Sequence, residues 1–157
     1  MADLCCQYTF SSVVINNSNE AVNSLITDHE GGAILGLDGA PIRRQIDPQG
    51  QSDGGNVFTA FFGARIVTFT GIVAIVTVPS RDPTLVWTAI NTLEASVISA
   101  LEAVRNSATN LTWTPTGGSG KTLSCMYGVP GGEIQFSGNM DDRKFTFQLV
   151  AANPTIS

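Results

Sequence analysis

The chain has 157 residues, which fits one domain and leaves little room for a second. Charged residues make up only 13% of it, about half of the ~25% typical of soluble proteins. The formal net charge is −5 and there is no basic run, which argues against nucleic acid or an anionic membrane surface as a partner. Ser, Thr, Asn, Gln and Gly take the place of charge, and a surface of this kind can be buried against another protein without desolvating ions.

Neither a membrane span nor a signal peptide is predicted. A transmembrane helix needs ~18–20 consecutive apolar residues, and the longest apolar run is interrupted by Thr68, Thr70 and Gly71. The start, Met1 to Cys6, has neither the basic region nor the apolar region of a secretion signal. We therefore expect a chain that is made in the cytosol and does not cross a bilayer.

Cysteine and histidine are too few to suggest a disulfide-stabilised or metal-binding protein. Cys5 and Cys6 are adjacent and poorly placed to bridge each other, and Cys125 is far away in sequence. The one histidine, His29, stands in a polar turn-forming region. We expect reduced, structural thiols and no metal site.

The first half of the chain is predicted to consist of short strands and turns. Tyr8 to Ile15 is rich in β-branched and aromatic residues on alternate positions, which predicts one strand. A weaker apolar segment surrounds Leu25, and Ile42 to Ile46 fits a short strand. The ten residues from Asp47 to Asn56 are turn formers without an apolar member, which predicts an exposed loop.

The most apolar part of the chain, Val57 to Val78, predicts two strands divided by Gly63. Beyond Gly71 both faces of the second strand are apolar. We therefore expect either a bulge at this glycine or a covering layer on each side of the strand.

One helix is predicted to supply such a layer. Asp82 is a good N-cap, Pro83 suits the first helical position, and neither glycine nor proline follows until Pro115. An apolar stripe at four-residue spacing fits a helix packed on a sheet. The predicted stripe consists of Leu85, Ala89, Leu93, Val97 and Leu101.

After the helix the pattern returns to strands. A strand is expected at Leu111 to Thr114, and alternating apolar residues predict the strands that follow. The residues from Ala151 to Ser157 are expected to form a tail. The alternating positions are Leu123, Cys125 and Tyr127, then Ile134 and Phe136, then Phe145, Phe147 and Leu149.

The segment from Gly117 to Thr122 ends like a phosphate-binding P-loop but fails the motif. The first glycine of that motif is replaced by Pro115, and the residues after Lys121 alternate like a strand instead of opening a helix. A glycine-rich hairpin is the better prediction. A phosphate-binding enzyme built on this segment is the less favoured alternative. Nucleotide binding that depends on Lys121 would support it.

No other catalytic arrangement is indicated. A Ser–His–Asp triad would need His29, and no nucleophile elbow is present. We expect neither enzymatic activity nor a cofactor. Four basic residues are candidates for contact with a partner's acidic surface, with solvated charge at strand edges as the alternative. They are Arg43, Arg44, Arg65 and Lys121.

Several short motifs resemble a known family when they are taken in order. They are Gly36-Leu37-Asp38-Gly39-Ala40-Pro41-Ile42-Arg43, the loop Asp53-Gly54-Gly55, the strand Gly63-Ala64-Arg65-Ile66-Val67-Thr68-Phe69-Thr70-Gly71-Ile72 and the closing stretch Phe145 to Pro154. This order resembles the N-terminal belt domain of the distal tail proteins of long-tailed phages with non-contractile tails. Longer members continue into a second β-sandwich, which is not expected in this chain of 157 residues.

The resemblance implies a six-fold ring at the far end of a phage tail tube. Such a ring would be a hub within the virion, and its implied partners are further copies of itself, the tail tube protein, the tape-measure protein and the tip hub or fibre proteins. Another tail ring or tube protein would use similar parts. A monomeric carbohydrate-binding module is a further alternative, although most aromatic residues fall at predicted core positions.

The predicted fold is therefore mainly β, an antiparallel β-sandwich or open barrel with one helix packed on it. Residues 1–157 are expected to form a single domain.

Overall fold

The structure is a computed structural model, and it describes residues 6–38, 42–43, 46–48, 55–57, 61–62 and 64–157. Of the four short stretches between Asp38 and Ala64 it describes the backbone alone. Thirteen strands and one helix, α1, lie in these ranges. In chain order they are β1 (Tyr8–Phe10), β2 (Val13–Ile15), β3 (Ser24–Ile26), β4 (Ala33–Leu35), β5 (Ile42–Arg43), β6 (Ile46–Pro48), β7 (Gly55–Val57), β8 (Phe61–Phe62), β9 (Arg65–Ala74), α1 (Pro83–Ala103), β10 (Thr109–Trp113), β11 (Lys121–Tyr127), β12 (Gln135–Ser137) and β13 (Lys144–Ala151).

Seven of the strands pair in a closed ring. Their order is β13, β11, β10, β1, β2, β3 and β9, and β9 pairs again with β13. Every contact in the ring is antiparallel except the short one between β2 and β3. The prediction of a mainly β fold with one helix is confirmed. The ring also refines that prediction, because the strands close into a barrel-like sheet without the gap of an open barrel.

The two longest strands hold the ring together. β9 and β13 are paired in continuous register over eight residue pairs, from Arg65 opposite Ala151 to Ile72 opposite Lys144. Along its other edge, each of the two strands pairs with two further strands: β9 with β3 and β4, and β13 with β11 and β12. The unbroken register rules out the bulge that the sequence suggested at Gly71.

Alternation along the strands places aromatic rings inside the barrel. Phe69 of β9 stacks on Phe147 of β13 with 5.2 Å between ring centroids, and Tyr8 of β1 stacks on Trp113 of β10 at 5.7 Å. All four side chains are buried. Such pairs contribute ~0.5–1.5 kcal/mol beyond the burial of their area.

The helix begins where the sequence predicted. The carboxylate of Asp82 accepts hydrogen bonds from the backbone amides of Thr84 and Leu85 at 2.9 and 3.3 Å, and Pro83 is the first helical residue. Val97 and Leu101 join the barrel core. The predicted stripe is partly wrong, because Leu85 is 53% exposed. The buried helical residues are Val86, Ile90, Val97 and Leu101.

The helix also has properties that the sequence reading did not anticipate. Pro83–Ala103 is long and apolar enough to cross a membrane by length and composition, with a mean hydropathy of 1.3 over its most apolar window. One such helix is weak grounds for a membrane span, since the core helix of a soluble protein passes the same test. Here its contacts with the barrel include the ion pair between Glu94 and Arg143 of the β12–β13 turn.

Three other predictions in the first half need correction. The expected strand from Tyr8 to Ile15 is a tight hairpin of β1 and β2, because Ser11 adopts a positive φ of 54° and reverses the chain. The predicted loop from Asp47 to Asn56 has paired ends, with Asp47 of β6 opposite Asn56 of β7. The long strand that the sequence predicted to extend to Val78, β9, ends at Ala74.

The predicted tail at the end of the chain is joined to the barrel. Ala151 is the last residue of β13, and the backbone of Ser157 exchanges two hydrogen bonds with Thr122 of β11, at 2.8 and 3.0 Å. Ile156 packs against the core. Local periodicity could not reveal this contact because its partner lies 35 residues earlier in the chain.

We predict that Gly71→Ala destabilises the barrel by about 1–3 kcal/mol, the usual range for overpacking. A Cβ at this position would overlap the carbonyl oxygen of Ile26 in β3 and press on the ring of Phe145. Denaturant unfolding measures the effect. Gly118→Ala is the matched control, since its Cβ would meet only Pro115 at 3.5 Å, and equal stability of the two variants would contradict the prediction.

Candidate interaction surface

The four basic residues that the sequence singled out do not form one cluster of described side chains. Arg43 lies in β5, but its side chain is outside the described residues, as is the whole of Arg44. Lys121 is exposed at the start of β11, opposite Trp113. This position confirms the strand that the sequence predicted after the glycine-rich segment from Gly117 to Gly120.

Arg65 is not on the surface. Its relative exposure is 5%, and its Nη1 donates hydrogen bonds to the carbonyl oxygens of Gly36 and Leu37, at 3.2 and 2.9 Å. Its Nε is buried and has no hydrogen-bond partner among the described residues. The expectation that Arg65 offers an exposed guanidinium to a partner is corrected, because inward alternation along β9 directs the side chain into the fold.

The contact made by Arg65 joins two of the sequence motifs. Gly36 begins the first of the motifs, and Arg65 belongs to the long strand β9. The two motifs therefore meet although 29 residues separate these two residues. Gly36 has a φ of +92°, and a Cβ there would overlap the carbonyl oxygen of Ile66. Glycine is needed at this position for both its conformation and the close approach of the two backbones.

A large part of the barrel exterior carries no charge. We use the term neutral wall for the uncharged outward-facing side chains of β10, β11, β13, β9 and β4. On these strands two charged residues are exposed, Lys121 and Lys144, and each is the first residue of its strand. The neutral wall consists of Asn110, Thr112, Thr122, Ser124, Met126, Thr146, Gln148, Val150, Ile66, Thr68, Thr70, Ile72, Ala74, Ala33 and Leu35.

Strand register arranges the neutral wall in rows. Met126, Val150 and Ile66 are direct cross-strand neighbours on β11, β13 and β9. Leu35 of β4 lies diagonally beside Ile66, since its direct partner is Thr68. Leu35 is 60% exposed and Ile66 48%. Cross-strand neighbours of this kind lie close enough to touch, so these apolar side chains form one patch, in which Leu35 and Ile66 are exposed and Met126 and Val150 are half-buried.

Hydroxyl groups lie on the same outer face of the barrel as this patch. Thr70 and Thr146 face each other with their Oγ1 atoms 3.2 Å apart. A second row on the same barrel runs from Thr9 through Thr112 to Thr122. Groups of this kind can form hydrogen bonds with a partner at a smaller desolvation cost than ions.

Many of the described charges pair with one another away from the wall. Arg143 of the β12–β13 turn binds Glu94 of α1 at 2.6 Å and lies over the ring of Trp87. The hydrogen bond to Glu94 raises the pKa of Arg143. At the C-terminal end of the helix Arg105 binds Glu102 at 2.6 Å, and this hydrogen bond lowers the pKa of Glu102.

A shallow polar depression adjoins Lys121. Its volume is about 480 Å³, and Gln7, Thr9, Thr112 and Trp113 contribute to its lining. Trp113 is only 8% exposed and stacks on Tyr8. The depression therefore lacks the open aromatic face on which a sugar ring would stack.

A second cavity of about 270 Å³ lies between the helix and the β2–β3 region. Its lining residues, which include Asn23, Leu93 and Ser96, carry no charge. The described residues contain no group of three His, Cys, Asp or Glu placed to hold a metal ion.

The neutral wall was not identified from the sequence, although its signal is present there. Outward positions of the predicted strands can be read as uncharged, for example Thr68 and Thr70 in β9 or Thr146 and Gln148 in β13. What was missing is the pairing of β9 with β13. Without it, these short patterns do not combine into one surface.

No protein-family model and no curated protein sequence matches the chain. Among solved structures it is similar to SPP1 Dit (gp 19.1), described as a paradigm of the hub adsorption apparatus in phages that infect Gram-positive bacteria. The TM-score is 0.62 and the sequence identity 13%; the match covers 95% of this chain and 50% of SPP1 Dit. The chain thus spans about half the length of that protein, and the likeness is one of fold.

The described cysteines lead to a pH prediction. The thiols of Cys6 and Cys125 are buried, while Cys5 lies outside the described residues. Burial raises the pKa of the Cys125 thiol from 9.0 to about 12, and the nearby Arg65 opposes this more weakly. The folded protein thus retains a proton that the unfolded chain loses, so this stabilising contribution is complete below pH 9 and is lost as the pH rises towards about 12.

Unfolding free energies of the wild type and of Cys125→Ala, measured across this pH range, check the prediction. The difference between the two proteins should shift against the wild type as the pH rises above 9.0, the ordinary pKa of the thiol. Subtracting the variant removes the titration of Tyr and Lys from the comparison. A difference that does not change with pH would contradict the prediction.

Proposed function

We propose that this protein is a structural, non-enzymatic subunit of a phage tail tip, which forms a ring and serves as a hub between the tail tube and the tip or fibre proteins. The observation on which the proposal depends is the fold likeness to SPP1 Dit, which extends over 95% of the chain. That protein is described as part of a hub adsorption apparatus. The sequence motifs support the proposal independently, since they resemble the same class of protein.

The neutral wall supports an assembly role in physical terms. Each copy carries a net charge of −5, so like-charge repulsion opposes the approach of two copies wherever acidic groups face each other. The wall avoids this cost because its strands offer threonine, glutamine and apolar side chains around Ile66. We propose that neighbouring subunits or tail proteins cover this wall in the particle.

The finer assignments belong to the same proposal. The ring is proposed to be a homohexamer at the distal end of the tail, with the tail tube protein, the tape-measure protein and the tip hub or fibre proteins as neighbours. Another tail ring or tube protein is the nearest alternative. Its position in the particle would differ, because a tube protein occurs along the whole tail.

We predict that the purified protein assembles into hexameric rings, alone or after addition of the tail tube protein. Native mass spectrometry gives the number of subunits, and negative-stain class averages show the symmetry. Gold-labelled antibody on intact particles should mark the far end of the tail. A protein that stays monomeric at high concentration in both conditions, or a label along the whole tail, would contradict the hub.

We further predict that Ile66→Glu weakens assembly by at least about tenfold, since a buried unpaired charge costs more than 1.4 kcal/mol. Ile66 lies at the centre of the apolar row on the neutral wall and is 48% exposed in the single chain. The substitution should therefore leave the fold intact, which unfolding measurements can verify. Sedimentation velocity over a concentration series measures the effect on assembly.

Two controls separate charge from other effects. Ile66→Thr adds a polar group of the kind already on the wall and should weaken assembly less than Ile66→Glu. Leu85→Glu places the same charge on α1, where Leu85 is 53% exposed, and should leave assembly unchanged. If Ile66→Glu assembles as readily as the wild type, the neutral wall is not a subunit interface, and the particle label then decides the hub role separately.

A further inference from the structure

The hairpin formed by β4 and β9 continues as a two-stranded ribbon. Beyond Leu35 opposite Thr68, the next described pair is Ile42 opposite Phe62, and the pairs between β6 and β7 follow. In the described backbone, β5–β8 and β6–β7 form small sheets of their own, separate from the barrel sheet. The ribbon therefore begins where the barrel pairing of β4 ends.

The junction between barrel and ribbon lies where the pairing of β4 with β9 ends, at Leu35 opposite Thr68. From Leu35 to the next described pair the chain advances seven residues, to Ile42, whereas the opposite strand spans six, from Phe62 to Thr68. Gly36 and Leu37 follow β4 directly, and contacts other than the pairing of β4 with β9 hold them.

Arg65 supplies such contacts at this junction. Its backbone lies in β9, opposite Ala151 of β13. Its Nη1 donates to the carbonyl oxygens of Gly36 and Leu37, the two residues that follow β4. One side chain therefore connects the outgoing strand of the ribbon, the returning strand and the barrel.

The surroundings of Arg65 make this connection costly to break. The side chain is 5% exposed, and a buried cation that loses its acceptors keeps its desolvation penalty without compensation. Gly36 approaches Ile66 so closely that no Cβ fits between them. The two strands are thus in direct backbone contact beside the guanidinium.

We infer that Arg65 is a positioning residue that holds the base of the ribbon, at Gly36 and Leu37, to the barrel and so restricts how far the ribbon can move relative to it. A base held in this way reduces the conformational entropy that a partner of the ribbon would have to remove on binding. The inference concerns the base of the ribbon and does not depend on the proposed hub.

Native-state trypsin cleavage tests it, because Arg43 lies in β5 of the ribbon and Arg44 follows it in the sequence. Arg65→Met keeps the length of the side chain and removes its donors. Cleavage at Arg43 and Arg44 should become at least about tenfold faster, since each lost hydrogen bond from a charged donor changes an opening equilibrium by roughly that factor. Hydrogen exchange should accelerate at residues 36–38 and stay unchanged in β13.

Arg143→Met is the matched control. Arg143 also donates to a glycine carbonyl, that of Gly138 at 2.9 Å, but in the β12–β13 turn. Its loss should leave the cleavage rate at Arg43 and Arg44 unchanged. Unchanged cleavage and exchange in Arg65→Met, or exchange that accelerates equally in β13, would overturn the inference, because Arg65 would then have no role or serve only the core.

A measurement on the wild type covers the case in which Arg65→Met does not fold. The Nε–H of Arg65 is buried, whereas the side chain of Arg81 is 62% exposed. If the base of the ribbon is closed, the Nε–H of Arg65 exchanges with water more slowly than that of Arg81 in NMR spectra. Equal exchange rates would overturn the inference.

Discussion

The pairing of β9 with β13 is the contact on which the rest of the structure depends. Eight consecutive residue pairs join these strands, which come from opposite sides of the helix in sequence and close the ring of seven strands. A one-residue slip in this register would turn the inner face of one strand outward relative to its partner. Either Thr68 would then replace Phe69 inside the barrel or Gln148 would replace Phe147, so burial of the aromatic rings fixes the register.

The same register produces the surface proposed for assembly. Once Val67 and Leu149 face inward, their neighbours Ile66 and Val150 must face outward as a pair. The neutral wall is therefore a direct consequence of strand alternation applied to a sequence with few charges. Some of the few charged side chains have a different role, since the ion pair between Arg143 and Glu94 joins the helix to the barrel.

The motifs that suggested a phage tail protein also have a structural reason. Gly36 permits a backbone contact that no side chain would allow, and Arg65 fills the space beside it with a guanidinium that binds two carbonyl groups. A short glycine-rich motif is weak in sequence because many turns use glycine. Here residues of two such motifs, Gly36 and Arg65, meet at the base of the ribbon.

The sequence by itself determined the fold class, the start of the helix at Asp82 and most strands after it, because capping and alternation are local properties of the chain. It also indicated an uncharged surface. Tertiary structure decided which strands are neighbours, that Arg65 is buried and that Leu85 is exposed. Those outcomes depend on contacts between residues far apart in sequence, such as Arg65 with Gly36 or Ser157 with Thr122, and no local pattern encodes them.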